Sequence, residues 1–548
     1  MNQRKELIVE HVAYLRDTKL FHTSPALNPF KLFLETSTYC SPDDLEAAFT
    51  KLVPITTYAD YKDLQDSIIS GNVDTPNVLF PKLPNYIMNS SSTSGGKSKF
   101  FAIHADEDIG VKMLAMQKMK AGRIAEGSVV LEINSISAQN VFGLSVCPGS
   151  ILAARMALKV KGLPTDEEIA ATVDSSNGIP WAIKLVQDYS TLLALHSLFG
   201  LVDTRVGYIS AVFSSIWLDW AHYIQTHKGE LLQCIEFGTL PVACLIEEEL
   251  QESIMKHWKA NPARAQELRG INFNHDGWMK VVWPELQFAE AGCGGVFASG
   301  IPRIRSAIGP SVPLVFGPYA STEAMVMGIS LQNETDPNLF QMINFGGCLF
   351  EYLELNGKLV SGAELKQGQR YKLIVSNKRL GIWRYDLSDV LEHVGFHPGS
   401  KNSIMRYIGR EGGIRLVPTF ISEQEIITAA KSVFDSTNGK VAREFLSFPD
   451  STAGMEAVAF CFEAVDNNHN LDVDHMEDTL TNVLRSQNER FGLFLGDSLR
   501  KCAVRVLPPG TFAEYRGWKA RSVGSGQVKI PVVVTNLEVR DWFLARCF

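Results

Sequence analysis

The densest group of chemically suggestive residues is Ser90-Ser91-Ser92-Thr93-Ser94-Gly95-Gly96-Lys97-Ser98-Lys99. Small and hydroxyl-bearing residues let the backbone approach an anion closely. Consecutive N–H groups in a glycine-rich turn form a nest for oxyanions, and two lysines add charge. That is phosphate-binding chemistry; a solvated Ser/Gly loop is the plain alternative. Gly96-Lys97-Ser98 matches the end of a P-loop, GxxxxGK[ST]. The leading glycine would fall at Ser91, however, and the FFAIH that follows reads as a strand where a P-loop opens a helix. A second group, Phe316-Gly317-Pro318-Tyr319-Ala320-Ser321-Thr322-Glu323, follows the run PLVF. An aromatic there can stack on a base, and a carboxylate in the same loop can hold a divalent cation. A third, GIWRYDLSDV at 381–390, ends a pair of predicted strands and carries Asp389, which can accept both hydroxyls of a ribose. The fourth comprises PGTF at 509–512 and GQVKIP at 526–531, with Lys529 just before an apolar run. An ordinary lysine in such a place is solvated.

Other chemistries are missing from the sequence. GxSxG, HExxH and the EF-hand pattern do not occur. Gly292-Cys293-Gly294-Gly295 lacks the third glycine of a dinucleotide fingerprint. The acidic run at 472–478 reads as the solvated opening of a helix.

These loops need a scaffold. The chain has 548 residues, 45% of them hydrophobic and 20% charged, which is ordinary for a protein that buries a large core. A net charge of −8 without a basic run lacks the footprint of a nucleic-acid binder. The first residues, MNQRKELIVEHVAYLRD, are charged and amphipathic, unlike a secretory signal. LLALHSLFGLV, at 192–202, is too short to span a membrane and reads as a buried helix. Nine scattered cysteines with no CxxC predict neither a disulfide framework nor a zinc site, so a reducing cytoplasm is expected.

Helix starts are predicted at Ser41-Pro42-Asp43-Asp44, at Thr165-Asp166-Glu167-Glu168 and at Ser422-Glu423-Gln424-Glu425. The stretch 180–270 reads as helical throughout. Strands are predicted at 85–89, 100–104, 128–133, 313–316, 348–355, 371–376, 457–464, 502–507 and 530–535. Helices and strands mixed along the whole chain predict an α/β fold. Gly409-Arg410-Glu411-Gly412-Gly413 follows the densest strand block. The expected organisation is a large domain over 1–408, a hinge over 409–422 and a small α+β domain over 423–548. The small domain is expected to run helix, strand, helix, strand.

In this order, the four groups and the late lysine before a proline resemble the acyl-adenylate-forming superfamily. Within it the chain is most similar to the acyl acid–amido synthetases of the Gretchen Hagen family. The likeness covers SSSTSGGKSK, WPELQFAEAGCGGVFASGIP (283–302), YASTE (319–323), GIWRYDLSDVLEHVGFH (381–397) and PGTFAEYRGWKARSVGSGQVKIP (509–531). The resemblance implies a large N-terminal α/β domain of the adenylate-forming type and a small mobile α+β C-terminal domain. It also implies an ATP- and magnesium-dependent ligase joining a small carboxylic acid to an amino acid or other amine. Ser91, Ser92, Thr93, Ser94 and Gly95 would contact the phosphates of ATP. Gly295 would lie against adenine, and Tyr319 would stack on it within the loop Ala320, Ser321, Thr322. Glu323 would help bind Mg2+, Asp389 would hold the ribose, Arg410 would sit at the hinge, and Lys529 would reach the acyl phosphate. The family's pattern is broken at Ser92 and Ser388, which replace glycines, at Asp386, which replaces an arginine, and at Gly294, which replaces a threonine. Alternatives within these readings are an acyl-CoA ligase, a nucleotide-binding sensor without turnover, and a P-loop phosphotransferase.

Overall fold

The computed structural model describes residues 3–37, 40–71, 76–90, 99–174, 179–331, 335–451, 455–467, 471–523 and 528–548. Three sheets surround the loops singled out above. Four parallel strands, Val129–Ile133, Val206–Ala211, Phe288–Ala291 and Leu314–Phe316, lie side by side in that order. A mixed sheet contains Phe100–Ile103, Tyr86–Asn89, Leu144–Cys147 and Gln139–Val141. The largest sheet has eight antiparallel strands, including Ile382–Phe396 paired with Ser403–Arg410.

The predicted helix starts form as capping boxes. Ser41, Thr165 and Ser422 each accept a hydrogen bond from the backbone N–H three residues on, and the acid there accepts one from the capping residue's own N–H. The helix Tyr189–Val202 is buried along almost its whole length, His196 included. Among the described residues no helix is long and apolar enough to cross a membrane.

Three expectations are corrected. The stretch 180–270 is not helical throughout, because Val206–Ala211 is a strand with all six residues buried. A short strand between two parallel neighbours has no polar face, so its sequence shows no alternation and blends into a helical region. The run 530–535 is not a strand of a sheet. It touches one only through an isolated bridge between Ser447 and Val533. After the predicted hinge the order is helix Glu423–Ser436, strands Val441–Asp450 and Ala457–Ala464, helices Val473–Gln487 and Glu489–Phe494, strand Ala503–Leu507, and helices Thr511–Val523 and Leu537–Leu544.

Apolar packing is divided as well. One core joins the N-terminal helices to the large sheet, and a second surrounds the parallel sheet. Two further clusters draw their buried members only from residues after Gly413.

Candidate active site

The hydroxyl-rich loop connects two antiparallel strands. Ser90 N–H donates to the Lys99 carbonyl at 2.8 Å, and Lys99 N–H donates to Ser90 Oγ at 3.1 Å. Ser91, Ser92, Thr93, Ser94 and Gly95 lie between these closing bonds, outside the described residues. The strand Phe100–Ile103 follows where a P-loop would place a helix, which removes the phosphotransferase reading.

Two other loops leave the carboxyl ends of neighbouring parallel strands, the usual ligand edge of an α/β sheet. Their crossing is tight. A Cβ on Gly292 would lie 2.3 Å from the Val212 carbonyl oxygen, and one on Gly317 would lie 3.1 Å from Gly292 Cα. Gly295 follows at φ +61, in the left-handed region that suits glycine, and its N–H donates to Asn338 Oδ1 at 2.7 Å. The Tyr407 ring lies close enough to take up the space of a side chain there, 3.3 Å from the absent Cβ.

Tyr319 opens the short strand Tyr319–Ser321. Its ring stacks on Phe340 with centroids 4.5 Å apart, and Tyr407 lies 6.1 Å away at an angle. Its hydroxyl donates to Asp389 Oδ2 at 2.7 Å, while Arg410 Nε donates to Asp389 Oδ1 at 2.9 Å. Asp389 and Arg410 face each other across the paired strands, so backbone register makes this contact. Asp389 is only 3% exposed, and its charge holds Arg410 well above the usual range, with burial opposing. A carboxylate with two such donors still has acceptor capacity for a ribose.

The loop Tyr319, Ala320, Ser321, Thr322, Glu323 ends in a serine turn, in which Ala324 N–H donates to Ser321 Oγ at 3.2 Å. Glu323 is buried, and its carbonyl accepts from Asn377 Nδ2 at 2.9 Å. Lys99 reaches the same neighbourhood. Its Nζ donates to the Tyr385 hydroxyl at 3.0 Å and lies 5.8 Å from the Tyr58 ring centroid. Burial lowers the Lys99 pKa, and the charge of Glu323 opposes the fall.

Lys529 comes to this site from far along the chain. Its ammonium lies 4.5 Å from the ring centroid of Phe213 and 5.4 Å from that of Phe297. Those rings stack face to face at 4.7 Å. Burial lowers the Lys529 pKa to about 8; Arg410 pushes in the same direction and Asp389 opposes. Glu423, the first residue of its helix, is raised to about 7 by burial, with Arg410 opposing. Arg410, Asp389, Lys529 and Glu423 therefore share one electrostatic neighbourhood.

Two of the residues that depart from the resemblance, Ser388 and Asp386, are accommodated locally, while Ser92 lies outside the described residues. Ser388 holds φ +61, the conformation a glycine would take, and its N–H donates to Asp386 Oδ1 at 2.7 Å. Asp386 is also paired with Lys372 Nζ at 3.1 Å, a lysine it shares with Glu411 at 2.8 Å. The motif at 381–390 does not end its strand; Ile382–Phe396 continues through it with shifted register.

The loops around Gly295, Tyr319 and Asp389 were singled out in the sequence. Phe213, Phe297, Tyr407 and Glu423 were not. Phe213 follows the overlooked strand Val206–Ala211, whose recognition would have placed it at a sheet's carboxyl edge.

The loops at the ends of the parallel strands, the Asp389–Arg410 pair and a lysine delivered from a C-terminal segment thus form one site on an α/β scaffold. Residues 33–314 match the GH3 family N-terminal domain, and residues 342–406 match the GH3 family central domain. The chain belongs to the GH3 family. It is 24% identical to the probable indole-3-acetic acid-amido synthetase GH3.1 of Oryza sativa subsp. japonica, covering 90% of this chain and 82% of that one. It is 22% identical to indole-3-acetic acid-amido synthetase GH3.17 of Arabidopsis thaliana, covering 91% and 88%. Among solved structures it superposes on GH3.15 acyl acid amido synthetase with a TM-score of 0.79 at 21% identity, over 100% of this chain and 94% of that one.

Proposed function

We propose that this protein is an AMP-forming ligase that activates a small carboxylic acid with ATP and passes the acyl group to an amino acid or another amine. Family membership supports the class of reaction, and the half-buried Lys529 beside the Asp389–Arg410 pair carries the mechanism.

In the first step a carboxylate oxygen attacks the α-phosphorus, and pyrophosphate leaves. Anions converge there, so donors already in place stabilise the transition state without reorganising. Lys529 supplies a charge in a half-buried setting, and Arg410 holds Asp389 for the ribose. Tyr319, Tyr407 and Gly295 form the walls against which adenine lies. In the second step the amine attacks the acyl carbonyl and AMP leaves; holding both reactants together supplies much of that rate.

Magnesium fits the donor set. Among the described residues no group of three or more His, Cys, Asp or Glu is gathered as a metal cage. Magnesium commonly needs only one or two carboxylates beside substrate phosphates, and Glu323 is such a carboxylate. Bound there, the ion would neutralise phosphate charge.

We place the division of labour at 1–408 and 423–548, with rotation about 409–422 opening the way for the amine. Separate apolar clusters on the two sides support that placement. The nine dispersed cysteines fit a cytoplasmic setting.

The test is acid-dependent ATP–pyrophosphate exchange over a panel of aryl, indolyl and aliphatic acids. Exchange with at least one acid, followed by amide and not thioester when amines and CoA compete, is expected. Folded protein that exchanges with none would overturn the enzyme reading, and thioester as the main product would favour the acyl-CoA ligase.

A further inference from the structure

A partly buried ionic contact joins the two parts of the chain. Arg516, on the helix Thr511–Val523, is 1% exposed. Its Nε donates to Asp219 Oδ2 at 2.6 Å, and Nη2 donates to Asp219 Oδ1. Its Nη1 donates to both oxygens of Glu444, at 3.1 and 3.0 Å. Asp219 is further fixed by the Tyr189 hydroxyl at 2.8 Å. One guanidinium thus uses its planar fork on two carboxylates from opposite sides of the molecule.

The elements that carry those carboxylates also locate Lys529. Asp219 lies on the helix Ser214–Thr226, and the residue capping that helix is Phe213, whose ring lies under the Lys529 ammonium. Glu444 lies on the strand Val441–Asp450. Ser447 of that strand binds the Lys529 segment: its N–H donates to the Val532 carbonyl at 2.7 Å, and Val534 N–H donates to the Ser447 carbonyl at 2.7 Å. Arg516 therefore ties the seat of Lys529 to the strand that holds Lys529. Without it, Asp219 and Glu444 would face each other as two half-buried like charges. Burial already pushes the Glu444 carboxyl up, Arg516 and the charge of Arg303 pull it down, and Asp219 pushes it further up.

We propose that Arg516 is a positioning residue for Lys529: by clamping Asp219 and Glu444 together it holds the C-terminal part in the orientation that activates the acid, and its release accompanies the change to amide formation. This rests on the adenylation reading above. Arg516 touches no substrate in this role. Its effect is confined to the half-reaction that needs Lys529.

The test separates the two half-reactions in the full-length protein. Acid-dependent ATP–pyrophosphate exchange reads the first, and amide formation from supplied synthetic acyl-adenylate and amine reads the second. Arg516→Gln, Arg516→Lys and Asp219→Asn are compared, the last keeping an acceptor for Tyr189 if Arg516 variants fold poorly. The expected result is exchange reduced at least tenfold in kcat, with the KM for ATP within twofold and amide formation from acyl-adenylate undiminished. The alkaline limb of the exchange profile, expected near pH 8 in the parent, should move upward as Lys529 gains access to water. Exchange unchanged in every folded variant, or both half-reactions falling in parallel, would overturn the positioning role. A parent protein inactive in both half-reactions would instead overturn the functional reading on which it rests.

Discussion

Replacing Lys529 with methionine should make the protein more stable and nearly inactive in acid activation. A lysine whose pKa falls from 10.5 to about 8 on folding is held charged in a half-buried site at a cost of about 3 kcal/mol. Because the folded pKa is depressed, the folded state binds fewer protons between about 8 and 10.5. The penalty is fully present below pH 8 and fades as the pH rises towards 10.5. Methionine carries no charge, and its thioether packs well on aromatic rings such as Phe213 and Phe297. The lost cation–π contact offsets part of the gain, roughly 1 to 2 kcal/mol. Lys529→Met should therefore gain about 1 to 2 kcal/mol at pH 7, and little or nothing near pH 10. The same change removes a preorganised charge from the reacting phosphate, a loss of roughly a hundred- to a thousandfold in rate. Denaturant melts at pH 7 and pH 10, together with pyrophosphate exchange, check both halves. A variant that exchanges within threefold of the parent, or is less stable than it at pH 7, would refute the reasoning.

Other consequences follow from the same geometry. In the parent protein, pyrophosphate exchange should decline as the pH rises through about 8, where Lys529 loses its proton; a flat profile to pH 10 would exclude it as the charged group. Asp389→Asn removes the charge facing Arg410 and one strong acceptor, so the KM for ATP should rise roughly ten- to a hundredfold, read by initial-rate titration. Ser388→Gly relieves a left-handed backbone at φ +61 and should stabilise by about 1 kcal/mol in denaturant melts. Glu351→Gln leaves Arg384 buried without its charged partner, with side chains 1% and 4% exposed, and should cost about 3 to 5 kcal/mol in the same assay.

What the sequence revealed and what it concealed have physical causes. Capping boxes at Ser41, Thr165 and Ser422 are local, because a side chain bonds the backbone three residues away, so they were readable. The Ser/Gly-rich loop and the loops around Tyr319 and Asp389 stood out for a related reason: the chemistry proposed for them, holding an anion or a flat ring, asks for particular residue types within one turn. The strand Val206–Ala211 was hidden because burial on both faces erases its alternation. The run 530–535 misled because consecutive β-branched residues suit any buried extended segment; only a bridge at Val533 joins it to a strand. Glu423 was visible only as a helix-opening acid, and its closeness to Arg410 depends on how the chain turns after the large sheet. Arg516 carried no sequence signal, since its partners lie 297 and 72 residues away. Contacts made by tertiary register have no local grammar, and the site's electrostatics are built largely from such contacts.

The most direct test of acyl-adenylate chemistry follows an oxygen atom. With an acid that supports exchange, labelled with oxygen-18 in its carboxylate, turnover in the presence of an amine should leave one labelled oxygen in AMP and one in the amide. That transfer requires the acid's oxygen to bond to the α-phosphorus and to remain there when the amine displaces AMP. Amide formed alongside unlabelled AMP, or label found in inorganic phosphate with ADP, would contradict the account.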